Sequence, residues 1–220
     1  MLMEEYNKFL IWGTKCNCGN QCSILQNEHH PWDETDFKVK LKCEKCGSEL
    51  VVDKSSAEIF YNNKIYGYYE NLYGNVIDLG CGGGFLSRRL LSNKSIEKIY
   101  GIDLDEDCAE ELKDVRSEKF KFINLDLCNL SEKFLENSID FLVSRDVFMF
   151  IEDTNKYLDD VTKIVKKEIR QMGWYIESNS RIKNKLSPNE IKEGYEKRGW
   201  NVELEYLNWY KGGYFIKANK

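Results

Sequence analysis

Long apolar runs, proline and excess positive charge are all scarce in this 220-residue chain, and each scarcity narrows what it can be. No uninterrupted apolar segment approaches the ~20 residues that span a bilayer, so no membrane partner is expected. The N-terminus MLMEEYNKFL is acidic and polar and lacks a secretory leader pattern, which makes the expected location cytoplasmic. Two prolines, 42% hydrophobic residues and 31% charged residues describe an ordinary globular protein, long enough for one medium domain and a small one. The net charge of −5 divides into −2 over residues 1–55 and −3 over the remainder. A dedicated nucleic-acid binder usually carries a basic excess. RNA is not excluded, but the overall charge does not point to it.

Glycine is concentrated where it matters. Residues 75–90 read NVIDLGCGGGFLSRRL. Val76, Ile77 and Leu79 form a short apolar run suited to a buried parallel strand. Gly80, Gly82, Gly83 and Gly84 follow, and then Phe85, Leu86 and Leu90 recur at helical spacing. Strand, glycine turn and helix make a cradle in which bare backbone lets a ligand approach closely. A dinucleotide site requires GxGxxG, and Phe85 stands in the third-glycine slot. The pattern present, Asp78-Leu79-Gly80-Cys81-Gly82-Gly83-Gly84, resembles motif I of the class I S-adenosylmethionine-dependent methyltransferases.

Strand and helix signals alternate after this motif, which argues for a doubly wound α/β sheet. Residues 99–103 read as a second strand ending in Asp103, 23 residues beyond Gly80, followed by a helix over CAEELKDV. A carboxylate placed there accepts hydrogen bonds from both ribose hydroxyls. Asp105 competes with it as a helix cap. Residues 119–127 read as a third strand closing on Asp126, and 138–144 as a fourth running into Arg145 and Asp146. Residues 153–170 read as one long helix, 174–177 as a fifth strand, and Ser187-Pro188 as a helix start. The stretches from Trp200 and from Gly213 read as a closing antiparallel hairpin. The resemblance covers residues 57–220. It implies a Rossmann-like, seven-stranded methyltransferase sheet, with S-adenosylmethionine held by Asp78, Gly80, Cys81, Gly82, Gly84, Asp103, Leu104, Asp126, Leu127 and Ser144. In that family Leu104 would lie beside the adenine, Asp126 would accept from its amino group and Leu127 would pack on the ring. The tyrosines before motif I, Tyr66, Tyr68 and Tyr69, are candidates to close over the methionine end.

Cysteine is unevenly spread, with five of the eight residues before position 47. Clustered thiols in a chain without a targeting signal suggest metal rather than disulfides. Cys43-Glu44-Lys45-Cys46-Gly47 is a CxxCG knuckle between two strand-like stretches. Cys16-Asn17-Cys18-Gly19 is one residue shorter, with Cys22 as a reserve ligand. Together they resemble a β zinc ribbon, and a structural zinc on Cys16, Cys18, Cys43 and Cys46 is expected. The domain organisation is then a zinc-ribbon-like module over 1–55 and a methyltransferase domain over 56–220, with 53–58 as linker. His29 and His30 share the loop between the knuckles. They read as an exposed polar loop, the alternative being a base or substrate contact over the active site.

The expected reaction is methyl transfer to a nucleophile, with Asp146 as base or Arg145 as the holder of an anionic substrate. A structural ion pair is the competing role for both. The pattern SIDFLVSRDVFMFIED is similar to the fourth motif of small-molecule methyltransferases and lacks the Asn/Asp-Pro-Pro-Tyr/Phe signature of enzymes acting on adenine or glutamine nitrogen. A small-molecule acceptor is therefore expected. The alternatives are a non-catalytic scaffold and RNA: an N-terminal zinc module also resembles bacterial ribosomal-RNA guanine methyltransferases. Arg181, Lys183, Lys185, Trp209 and Tyr210 speak for RNA, and the acidic ribbon speaks against it. The sequence names no partner protein.

Overall fold

In the computed structural model, residues 9–27, 36–174, 182–210 and 212–220 are described, and they divide into two units: 1–68 with 206–213, and 69–205 with 214–220. The predicted loop holding His29 and His30, and Arg181, lie outside the described residues. Among the described residues, no helix is long and apolar enough to cross a membrane.

The first unit is built from two antiparallel hairpins and a helix. β1 (Phe9–Lys15) pairs with β2 (Gln21–Asn27), and β3 (Lys38–Lys42) pairs with β4 (Glu49–Asp53). α1 (Lys54–Gly67) follows β4 directly, so residues 53–58 are a helix start and not a linker. The cause is local: Asp53 is the N-cap, its carboxylate accepting from the Ser56 N–H at 2.8 Å. Ala57, Tyr61 and Ile65, four residues apart, form the buried stripe of α1. Tyr61 meets the rings of Trp12, Trp209 and Tyr210. Trp209 and Tyr210 are thus core residues, 5% and 3% exposed, and offer no face for base stacking.

The second unit holds a seven-stranded sheet. In chain order it contains β5 (Gly74–Leu79), α2 (Phe85–Leu90), β6 (Ile96–Asp103), α3 (Cys108–Glu111), β7 (Phe120–Asn124) and β8 (Ile139–Arg145). Then come α4 (Thr154–Ile164), β9 (Val165–Trp174), α5 (Pro188–Glu196), β10 (Asn201–Leu207) and β11 (Gly213–Asn219). The spatial order is β10-β11-β9-β8-β5-β6-β7, with β5 to β9 parallel and a C-terminal antiparallel hairpin, the expected methyltransferase sheet. Chain direction across the sheet reverses between β5 and β8, and ligands of such sheets bind beyond the carboxyl ends of the strands at that point.

One element departs from expectation. The helix read over 153–170 stops at Ile164, and residues 165–174 form β9. The apolar stripe of α4, Tyr157, Val161 and Ile164, would next reach Glu168, so continuing the helix would set a charge on its apolar face, whereas in the strand Glu168 pairs with Arg170 and Lys217. As a strand, the same stretch buries Val165, Ile169 and Met172. The strand expected from Trp174 therefore ends there, and residues 175–177 lie outside the described set. The start of α5 is as read, with Ser187 and Glu190 in a reciprocal capping box and Pro188 in the first turn.

Candidate active site

The carboxyl end of β5 runs into a loop whose backbone only glycine adopts without strain. Gly80, Gly82 and Gly84 have φ of +63°, +47° and +87°. At Gly80 close approach adds a second reason, since a Cβ would sit 2.2 Å from Cγ2 of Val147. At Gly82 a Cβ would meet nothing within 4 Å, so this face of the loop is open.

Asp78 is only 2% exposed, and its Oδ2 accepts from the Ser87 N–H at 3.0 Å and the Ser87 hydroxyl at 2.7 Å. It therefore fixes the loop to α2 from beneath. Burial is the main cause that pushes its carboxyl up to about 7, against the pull of the Ser87 hydrogen bonds. Ser87 was not singled out from the sequence. Its signal was an ordinary hydroxyl in a helix, and only the fold shows its partner.

Asp103 ends β6 beside the loop. Its Oδ2 accepts from the Gly82 N–H at 2.9 Å and its Oδ1 from the Asp105 N–H at 3.1 Å. The predicted second-strand acid and the predicted glycine turn are brought together by this bond. Leu104 is 68% exposed next to them. Asp126 is exposed and caps a 3-10 turn, Leu127–Glu132, by accepting from the Cys128 N–H at 2.8 Å. Leu127 is buried in the main core. Cys81 packs with Cys108 and Leu112, and burial pushes the Cys81 thiol strongly upward and Cys108 to about 11. These thiols are inert packing groups.

The end of β8 closes the opposite side. Ser144 is buried, and its carbonyl accepts from the Tyr69 hydroxyl at 2.7 Å. Tyr69, one of the three tyrosines before motif I, thus holds the strand end that carries Arg145 and Asp146. The Arg145 guanidinium lies 3.9 Å from the Phe85 ring centre, and its Nε is 3.8 Å from Asp146 Oδ2. Asp146 has φ +59°, a conformation Asp tolerates better than most residues, and its N–H donates to the Met172 carbonyl at 2.9 Å. Because Val147 packs on Gly80, this turn is registered against the glycine loop.

A separate site lies in the first unit. The sulfurs of Cys16, Cys18, Cys43 and Cys46 all lie within 4.8 Å of one another, with Cys16–Cys46 at 3.5 Å and Cys18–Cys43 at 3.6 Å. A tetrahedron with Zn–S bonds of ~2.3 Å has S–S edges of about 3.8 Å, so the four thiols fit a zinc ion. The Cys43 thiol is lowered to about 6, chiefly because the backbone N–H of Cys46 and then that of Lys45 donate toward its sulfur. Cys22 is 8% exposed and packs against this set without joining the four.

An open glycine face, a carboxylate at the adjacent strand end and a third strand end carrying Asp126 fit an adenosyl cofactor. The sheet order is that of the Rossmann-like methyltransferase fold. Residues 77–169 match the family model described as "Methyltransferase domain", so the segment from β5 into β9 is similar to that family in sequence pattern as well as in fold. The fold is similar to that of a chain in the complex between the Haloferax volcanii Trm112 methyltransferase activator and a methyltransferase. Identity is 17%, coverage is 76% of this chain and 92% of that one, and the TM-score is 0.63. A SAM-dependent methyltransferase from Aquifex aeolicus is similar at 18% identity, with coverages of 72% and 88% and a TM-score of 0.58. Haemonchus contortus phosphoethanolamine N-methyltransferase 2, solved with S-adenosyl-L-methionine, gives 17% identity, coverages of 72% and 52% and a TM-score of 0.60. This chain spans about half the length of that last protein. No curated protein sequence matches the chain.

Proposed function

We propose that this protein is an S-adenosylmethionine-dependent methyltransferase acting on a small-molecule acceptor, with a structural zinc in its N-terminal unit. The observation that carries the reading is the Asp103–Gly82 bond, which sets a ribose-type acceptor beside an open glycine face at the sheet's switch point. Asp103, Leu104 and Asp126 would hold the nucleoside. The backbone of Gly80, Gly82 and Gly84 would leave room for the rest. Asp78 and Cys81 act from beneath the loop. When bound, S-adenosylmethionine supplies a methyl group on a cationic sulfur that is already a good leaving group.

The chain's own contribution is alignment and exclusion of water, and alignment alone offsets ~7–11 kcal/mol of a bimolecular barrier. Asp146, whose N–H donates to the Met172 carbonyl at the β8 end, would take the acceptor's proton, and Arg145 beside it would orient an acceptor oxygen. Four thiolates leave no open position on zinc, so the metal's part is folding of the first unit.

The small-molecule reading is supported by the acidic net charge of −5 and by a fourth motif without the Asn/Asp-Pro-Pro-Tyr/Phe signature of enzymes acting on adenine or glutamine nitrogen. Lys183 and Lys185 are exposed, but the aromatic residues Trp209 and Tyr210 that would favour RNA are buried. Two measurements test the proposal. Calorimetry of S-adenosylmethionine into the zinc-loaded protein should give one site per chain, weakened at least about tenfold in Asp103→Ala. Absence of binding to a folded wild type rejects the reading. Methyl-labelled cofactor should then label small nucleophiles; label appearing in ribosomal or transfer RNA instead would overturn the acceptor class.

A further inference from the structure

The N-terminal unit holds five cysteines, one more than a tetrahedral metal needs, and the fifth, Cys22, is buried beside the other four. The two knuckles are related turn for turn. In the first, the Cys16 N–H donates to the Asn20 carbonyl at 2.8 Å; in the second, the Cys43 N–H donates to the Ser48 carbonyl at 2.9 Å. Asn20 therefore corresponds to Ser48, and, two residues on, Cys22 corresponds to Leu50. Both Cys22 and Leu50 pack on the thiol cluster. Where the second knuckle offers only a hydrocarbon, the first offers a sulfur.

The polar residues correspond in function too. Ser48 Oγ accepts from the Cys46 thiol at 3.2 Å. The Asn20 side-chain amide reaches two sulfurs at once, donating to Cys22 Sγ at 3.7 Å and to Cys43 Sγ at 3.8 Å. One amide thus bridges a sulfur of the metal set and the sulfur outside it. Exposure completes the picture. Cys16, Cys22 and Cys43 are buried, whereas Cys46 is exposed and is the ligand that solvent-borne oxidants and alkylating agents reach first.

Resting on the zinc reading above, we propose that Cys22 is a reserve ligand that replaces Cys46 when Cys46 is lost, and that Asn20 holds Cys22 at the edge of the site until then. The exchange is a ligand substitution: the Cys22 thiol gives up its proton to solvent as its sulfur bonds the metal, and no redox partner is required. Asn20 acts as a positioning residue, since its amide satisfies the Cys43 sulfur while keeping Cys22 adjacent to it.

The test uses the full chain titrated with Co2+, read by its sulfur-to-cobalt charge-transfer and d–d absorption. Wild type and Cys22→Ser should both show the four-thiolate tetrahedral spectrum. Cys46→Ser should retain that spectrum, and Cys22→Ser/Cys46→Ser should lose about a quarter of the charge-transfer intensity as one thiolate of four disappears. Zinc competition against a chromophoric chelator gives a second reading. Cys46→Ser should bind within about tenfold of wild type, and the double variant more weakly by a further factor of about ten or more. A three-thiolate spectrum in Cys46→Ser alone overturns the proposal, as does one in Cys22→Ser alone, which would make Cys22 a primary ligand. A wild type that binds no cobalt overturns the metal reading itself, an outcome distinguishable from the other two.

Discussion

Two glycines of the cradle, Gly80 and Gly82, separate stability from cofactor binding, and replacing each by alanine tests whether the open face belongs to a ligand. Both have positive φ, so an alanine at either position pays roughly 1–2 kcal/mol for a left-handed backbone. At Gly82 the added methyl meets nothing within 4 Å, and this conformational cost is the whole structural penalty. At Gly80 the methyl lands 2.2 Å from Val147 Cγ2, so overpacking of roughly 1–3 kcal/mol is added. With about 2–4 °C lost per kcal/mol in a chain of this size, Gly82→Ala should melt about 2–8 °C below wild type and Gly80→Ala about 4–20 °C below. Affinity should run the other way in proportion to damage. Gly82→Ala places its methyl in the space where the cofactor lies and should weaken S-adenosylmethionine at least about tenfold despite the milder destabilisation. Differential scanning calorimetry and isothermal titration of the same samples give both numbers. If Gly82→Ala binds as tightly as wild type, the open face is not the cofactor's and the assignment of the cradle is wrong.

Three further outcomes follow from single contacts. Burial raises Asp78 to about 7 from an unfolded value near 3.8, so the folded state holds this proton more tightly and the associated stability, full below pH 4, is lost as pH rises to 7. Asp78→Asn keeps an acceptor for Ser87 but cannot ionise; relative to wild type it should gain about 2–3 kcal/mol between pH 5 and pH 8 in urea melts, and a pH-independent difference contradicts the burial argument. Asp140 Oδ2 accepts from the Asn75 N–H at the start of β5 at 2.9 Å and Oδ1 lies 2.7 Å from Nζ of Lys167 on β9, so Asp140→Ala should cost about 1–3 kcal/mol, chiefly by leaving the Asn75 N–H without its acceptor; a denaturation curve unchanged from wild type contradicts this. Removal of zinc by a chelator should unfold the first unit, seen as loss of the near-ultraviolet signal of buried Trp12; an unchanged signal would mean that its aromatic core stands without metal.

The glycine loop and its acid neighbour were legible because their pattern is local in sequence. An acid before a glycine run, and a second acid closing the next strand, are fixed by the backbone path of a strand–turn–helix unit, and the fold joins them through Gly82 and Asp103. What escaped lies in contacts between distant positions. Asp78 read as an open anchor, yet Ser87 nine residues on claims its oxygen. Trp209 and Tyr210 looked available in a hairpin turn, but they complete an aromatic core with Tyr61 from a helix about 150 residues earlier. The helix–strand junction at Ile164 was obscured because Lys166 and Lys167 suit the exposed face of a helix as well as a strand, and only Glu168, on the next turn of the apolar stripe, tells them apart. Residues 53–58 looked like a linker because the Asp and Ser that cap a helix are also the residues of loops.

Hydrogen exchange of the zinc-loaded protein with and without S-adenosylhomocysteine tests the central claim most directly. Protection should appear together at the glycine loop around Gly80 to Gly84, at the Asp103–Asp105 turn, at the Asp126–Cys128 turn and at the β8 end near Asp146, and should leave β1 to β4 unaffected. Protection confined to the first unit, or absent from the Gly82–Asp103 pair while binding is seen by calorimetry, would place the cofactor elsewhere and contradict the account.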